Sequence, residues 1–159
     1  MKLLVPKNSS ITSFDELAGK QVISISGATA SLWLTQCMKD VKQTLFAQTS
    51  QALTALNQSR GVALAQDDTL LLDLATKNPD LKVVGDAKAD SPWGMGVRKG
   101  DAQMLAWING ALAHMQKTDF FWSEFQKTVT DTTAQRQFAK YLPRPGHNLT
   151  YPTGATIQC

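Results

Sequence analysis

The chain has 159 residues, 43% of them hydrophobic and 18% charged, which fits one compact domain and excludes a disordered or fibrous polypeptide. Sixteen Lys and Arg against thirteen Asp and Glu leave a net charge of +3. It is spread along the chain without a basic face or stripe, so no nucleic-acid partner is expected.

Folded chains of about this length bury roughly two thirds of their unfolded surface, so a core can form without a cofactor or metal. No apolar run approaches the roughly 20 residues of a membrane-spanning helix; the longest, Thr69 to Ala75, is interrupted by Asp73. The N-terminus starts like a signal peptide, but Pro6, Lys7 and Asn8 stop it short of an apolar segment of about 7–15 residues, so no export signal is expected in this sequence. Two cysteines, Cys37 and Cys159, lack the paired spacings of zinc ligands and are either one disulfide or two idle thiols.

Ser13 and Glu16 have capping-box spacing and predict a short helix that Gly19 ends, ahead of a first strand at Gln21 to Ser26. A tight turn at Gly27 then leads into a helix over Ala28 to Lys39, with Leu32, Trp33, Cys37 and Met38 as its apolar positions. A second strand is expected at Thr44 to Ala47 and a helix from Ser50 or Gln51 to near Gly61. Gly61 to Gln66 is almost continuously apolar, as a strand covered on both faces would be.

Asp67 and Asp68 open a helix that Asn78 and Pro79 stop. Further strands are expected at Leu81 to Val84 and Trp93 to Arg98, the latter thinned by two glycines. Asp101 caps a long helix with Leu105, Ile108, Leu112 and Met115 at helical spacing. Trp107, Phe120, Phe121, Trp122 and Phe125 read as core aromatics. Thr132 to Leu142 is expected to be helical, and Pro143 to Cys159 is a tail punctuated by Pro and Gly. The expected division is an α/β domain over 1–130, with a helix and tail over 131–159 packing on it.

Alternating strands and helices of this length predict an α/β fold with a mostly parallel central sheet flanked by helices. Ligands in such folds sit beyond the carboxyl ends of the strands, which singles out the Gly27 to Ala30 turn and Asp67. The turn places backbone amides and the Thr29 hydroxyl at a helix start, where a carboxylate or phosphate is attracted. The residues alone favour the simpler reading, in which Ser26 or Thr29 caps the helix. One of Asp67 and Asp68 suffices as a cap; the other, at the end of an apolar strand, wants a cation such as an ammonium group.

His114 and His147 have no neighbours in sequence that would build a metal site or a triad. Gly94-Met95-Gly96 lacks the third glycine of a dinucleotide fingerprint. No base, nucleophile and orienting group come together, so there are no candidate catalytic residues and an enzyme is not expected.

Three strings, SFDELAGKQVISISGATA, ALNQSRGVALAQDDTLLLDLA and SPWGMGVRKGD, occur in the order and spacing of one family. Over about Leu3 to Lys127 the chain resembles the second lobe of the polar amino-acid solute-binding proteins of bacterial ABC importers, in particular the glutamate/aspartate-binding branch. The resemblance implies a periplasmic-binding-protein type II lobe in the periplasm, non-enzymatic and without cofactor, which in its intact form delivers a polar amino acid, acidic ones among the candidates, to a membrane permease.

By the same resemblance, Thr29 with the amides of Ala28 and Ala30 would hold the ligand carboxylate, and Asp67 the α-amino group. Thr49 stands where members that bind acidic side chains can offer His. The start of the chain looks like the strand that crosses from lobe one into lobe two. Lobe one, which supplies the arginine that clamps the α-carboxylate, is absent from this sequence. A Cys37–Cys159 bridge would suit an oxidising periplasm. The alternative is an interaction or dimerisation module that keeps the lobe fold, pairing with a second copy through the surface lobe one would cover.

Overall fold

The computed structural model describes residues 1–89, 93–130, 132–149, 157 and 159. The chain divides into two compact units, one formed by residues 1–91 with 154–159 and the other by residues 92–153.

The first unit is a five-stranded sheet in the order β3-β2-β4-β1-β5. Its strands are β1 (Lys2–Pro6), β2 (Gln21–Ile25), β3 (Lys42–Phe46), β4 (Ala63–Gln66) and β5 (Leu81–Val84). β2 pairs in parallel with β3 and β4, while β1 lies antiparallel between β4 and β5. Four strands therefore run one way and β1 alone runs against them, the mostly parallel α/β arrangement anticipated from the sequence. Reading the residues alone put the first strand at Gln21; β1 precedes it. Its apolar run is long enough for a strand, and Leu3, Leu4 and Val5 are completely buried between two neighbours.

Helices α1 (Thr29–Cys37), α2 (Thr49–Asn57) and α3 (Asp68–Lys77) follow β2, β3 and β4 in turn. Side-chain alternation divides the sheet into two apolar faces. Leu3, Val5, Val22, Ala63 and Ala65 meet Trp33 and Leu34 of α1 and the one-turn 3-10 helix Phe14–Leu17. Leu4, Ile23 and Leu64 meet Ala52, Ala55 and Leu56 of α2 and Leu71 of α3. Phe14 and Trp33 pack edge to face with centroids 5.4 Å apart. Gly61 sits where a side chain has no room, because a Cβ there would lie 2.8 Å from Ile23 Cγ1 and 3.1 Å from the Gln21 carbonyl.

Cys37 at the end of α1 is bonded to Cys159, which resolves the two cysteines as one disulfide. Ile157 packs against the same core, and Gln36 Nε2 donates to its carbonyl at 3.2 Å. Glu16 accepts from the amides of Thr12 and Ser13 at 2.6 and 3.2 Å, and these bonds hold its carboxyl below the usual carboxylate range.

The second unit contains α4 (Ala102–Lys117), α5 (Phe120–Thr128), α6 (Thr132–Phe138) and a 3-10 turn at Ala139–Tyr141. Asp101 caps α4 by accepting from the Met104 amide at 2.9 Å. Trp122, Phe125, Phe138 and Tyr141 form a chain of ring contacts, and the Arg144 guanidinium lies 4.4 Å from the Trp122 centroid while bonding Asp119 at 3.2 Å.

Two expectations fail here. Trp93 to Arg98 forms no strand: Trp93 and Met95 are exposed, and a strand needs a neighbour to receive its backbone hydrogen bonds. Trp107 and Phe120 are not core residues; they keep 70% and 44% of their exposure, and Leu105 on the same helix keeps 48%. Of the four positions that helical spacing marked on α4, Ile108, Leu112 and Met115 are half-buried and Leu105 is exposed.

Candidate functional site

The site is set by how β2, β3 and β4 end. β2 stops at Ile25, and Gly27, at φ +75°, turns the chain back. A positive φ favours glycine, because a Cβ would crowd the backbone there. The Ala28 amide donates to the Ile25 carbonyl at 3.1 Å and closes the turn. Ala28 is then the N-cap of α1, with Thr29, Ala30 and Ser31 as its first turn. First-turn amides have no acceptor within their helix and form the positive end of its dipole. Ser31 Oγ donates to the Ala28 carbonyl at 2.8 Å, fixing the geometry of the turn.

β3 ends at Phe46, whose carbonyl accepts from the Ser26 amide at 2.9 Å, so the ends of β2 and β3 are tied together. Thr49 is the first residue of α2. β4 ends at Gln66, and Asp67 is the N-cap of α3, its carbonyl accepting from the Leu71 amide at 3.1 Å. The Asp67 carboxylate makes no capping bond and no ion pair among the described residues. Capping falls partly to its neighbour, since Asp68 Oδ1 accepts from the Thr69 amide at 3.0 Å.

The fold therefore gathers Ala28, Thr29, Ala30, Thr49 and Asp67 at the carboxyl edge of three adjacent parallel strands. Strands lie about 4.8 Å apart, so these helix starts span roughly 10 Å. The turn after β2, in the middle, offers helix amides and a hydroxyl, which suit a carboxylate; the start of α3, at one end, offers a carboxylate without a protein partner among the described residues, which suits an ammonium group. A zwitterion with both groups matches the pair. The sequence reading passed over Gln66, which looks like the last residue of an apolar strand. Gln66 keeps 8% of its exposure, and its Oε1 accepts from the Asp67 amide at 3.0 Å.

Among the described residues there is no group of three or more His, Cys, Asp or Glu able to hold a metal ion. No helix among them is long and apolar enough to cross a membrane.

No family model matches the sequence. The chain is 28% identical over 134 residues to the ABC transporter glutamine-binding protein of Bacillus subtilis, covering 84% of this chain and 49% of that protein. It is 29% identical over 164 residues to the L-glutamate/L-aspartate-binding protein of Pseudomonas aeruginosa, covering 99% of this chain and 51% of that protein. The crystal structure of the cysteine-binding protein from Campylobacter jejuni superposes with a TM-score of 0.70 at 27% identity, over 84% of this chain and 53% of that one. The relatives are amino-acid solute-binding proteins of ABC importers, receptors rather than enzymes. The chain spans about half the length of the curated relatives it matches.

Proposed function

We propose that this chain carries the second-lobe half of an amino-acid binding site, within a solute-binding component that serves an ABC importer for polar amino acids. One observation carries the reading: three helix starts with complementary chemistry converge at the carboxyl ends of β2, β4 and their neighbour β3. In this reading Thr29 and the amides of Ala28 and Ala30 hold the ligand carboxylate, Asp67 holds its ammonium, and Thr49 lines the side of the Thr29 turn away from Asp67. The relatives' glutamine and glutamate/aspartate ligands support a polar amino acid. A periplasmic setting and a permease partner follow from the same kinship, and the disulfide supports an oxidising compartment.

The chain matches about half the length of its relatives, so in this reading, as a second-lobe fragment or truncated form, it supplies one half of the site. A ligand open to water on one face loses the desolvation that strengthens charged hydrogen bonds, so affinity falls to the millimolar range. The test is a thermal-shift titration with polar amino acids into the tens of millimolar, where stabilisation grows as RT ln(1 + [L]/Kd). A saturable shift that Thr29→Ala and Asp67→Asn each remove supports the reading. A shift that survives both substitutions overturns it.

A second reading is favoured by the exposed apolar side chains of α4. Met104, Leu105 and Trp107 keep 46%, 48% and 70% of their exposure, as on a surface that docks a partner or a second copy. Sedimentation that depends on protein concentration, and is abolished by Trp107→Glu, would establish it.

A further inference from the structure

β3 is the outer strand on one side of the sheet, paired only with β2 among the described residues. The Lys42 amide donates to the Lys20 carbonyl at 3.0 Å and the Phe46 carbonyl accepts from the Ser26 amide at 2.9 Å, so the backbone at 42 and 46 turns toward the β2 side. Alternation along the strand turns the amides and carbonyls of Gln43 and Leu45 outward. These groups have no hydrogen-bond partner among the described residues.

Both flanks of the edge can receive side chains. Lys42, Thr44 and Phe46 share the face that α2 covers, and beside Phe46 an open cavity of about 420 Å³ is lined by Phe46, Ser50, Gln51, Thr54, Ala55 and Arg60. After α2, Ser59 lies at φ +57°; its amide donates to the Leu56 carbonyl and the Arg60 amide to the Ala55 carbonyl, both at 2.9 Å. This turn folds the chain back, and the Arg60 guanidinium lies 5.3 Å from the Phe46 ring centroid. Arg60 is exposed and forms no ion pair among the described residues.

The α1 flank is apolar instead. Gln43 and Leu45 point to that face, and Gln43 Nε2 donates to the Ser31 carbonyl and the Thr35 hydroxyl at 3.3 and 2.9 Å. Leu45 and Leu32, the latter between those two α1 residues in the chain, keep 50% and 51% of their exposure.

We infer that the β3 edge docks an extended segment of an acidic partner protein, one whose carboxylate and apolar side chains alternate. The added strand takes the outward amides and carbonyls of Gln43 and Leu45 into its ladder. Its carboxylates meet Arg60 and Lys42 on the α2 flank, and its apolar side chains meet Leu45 and Leu32 on the α1 flank. Charge selects this occupant. From Val41 to Gln66 the sequence carries Lys42 and Arg60 and no Asp or Glu, so pairing β3 with a second copy of itself would gather like charges without a counter-charge. The edge runs along the side of the sheet, and the inference does not depend on amino-acid binding.

The test uses the full chain and a fluorescein-labelled eight-residue peptide alternating Glu and Val, read by fluorescence anisotropy. A peptide alternating Lys and Val, and one with the Glu and Val residues in two blocks, are the controls. The Glu-Val peptide should bind saturably with a Kd of about 1 mM or tighter and slow hydrogen exchange at the Gln43 and Leu45 amides. Arg60→Glu should weaken it roughly tenfold and favour the Lys-Val peptide. Leu45→Pro removes one outward amide without touching the β2 ladder and should abolish binding; Arg60→Glu keeps the inference testable if that variant fails to fold. Absence of saturation, equal binding of the block peptide, indifference to Arg60→Glu, or unchanged exchange at Gln43 and Leu45 overturns it. Concentration-dependent sedimentation of the unaltered chain that Leu45→Pro abolishes would put a second copy on the edge, and overturns the acidic partner too.

Discussion

Leu3, Leu4, Leu64 and Leu71 in the first unit lose all contact with water, whereas Leu105 and Trp107 on α4 in the second keep 48% and 70% of theirs. Of the buried hydrophobic residues described, only Phe138, at 8%, belongs to the second unit. Both units carry apolar side chains at regular spacing; what separates them is a sheet with two faces for helices to cover. The first unit can therefore hold a rigid edge of strand ends, and a site built on that edge inherits the rigidity.

The largest effect that sharpens this contrast is in the core. Leu64→Ala should cost roughly 3–5 kcal/mol in chemical denaturation, because the removed atoms leave a cavity between β4 and its neighbours. Trp107→Ala should stay within about 0.5 kcal/mol. A comparable loss at both would mean that Trp107 is covered after all.

Cys159→Ser should have an effect of the same size. The bridge closes a sequence separation of 122 residues, and in the chain-entropy treatment such a loop contributes on the order of 4–5 kcal/mol. The fall in denaturation midpoint should be matched by adding a dithiol reductant to the unaltered protein. A smaller step is Gly61→Ala, whose Cβ would press on Ile23 and on the Gln21 carbonyl; overpacking of this kind costs about 1–3 kcal/mol, read from the same denaturation curve.

The smallest effect is at Glu16. The amides of Thr12, first, and of Ser13 lower its carboxyl pKa in the folded state. Its contribution is therefore present above the unfolded value and lost as pH falls through the lower folded value. Glu16→Gln should lower stability slightly at neutral pH and leave it unchanged at pH below the folded value, so that the acid side of the stability profile flattens.

Much of the first unit was legible because local and global signals agree there. Val22, Ile23 and Ile25 alternate, Gly27 breaks the strand, and Asp67 and Asp68 mark a helix start, so β2, α1, β4 and α3 follow directly from the residues. The strand-end rule singles out Thr29 and Asp67 as candidates from the same residues. The rest depended on partners that sequence does not display. β1 reads as a short apolar run until it is seen between β4 and β5. Trp93 to Arg98 carries strand-like residues without a neighbouring strand. The period of α4 reveals which side is apolar, and only packing decides whether that side is covered.

The measurement closest to the central claim is a proton–nitrogen correlation spectrum of the labelled chain during titration with L-glutamate. The account predicts saturable shifts confined to the amides of Ala28 to Ser31, Thr49 and Gln66 to Thr69, and their loss in Asp67→Asn. Shifts centred on α4, or none at those three strand ends, would contradict a binding site at the carboxyl edge of the sheet.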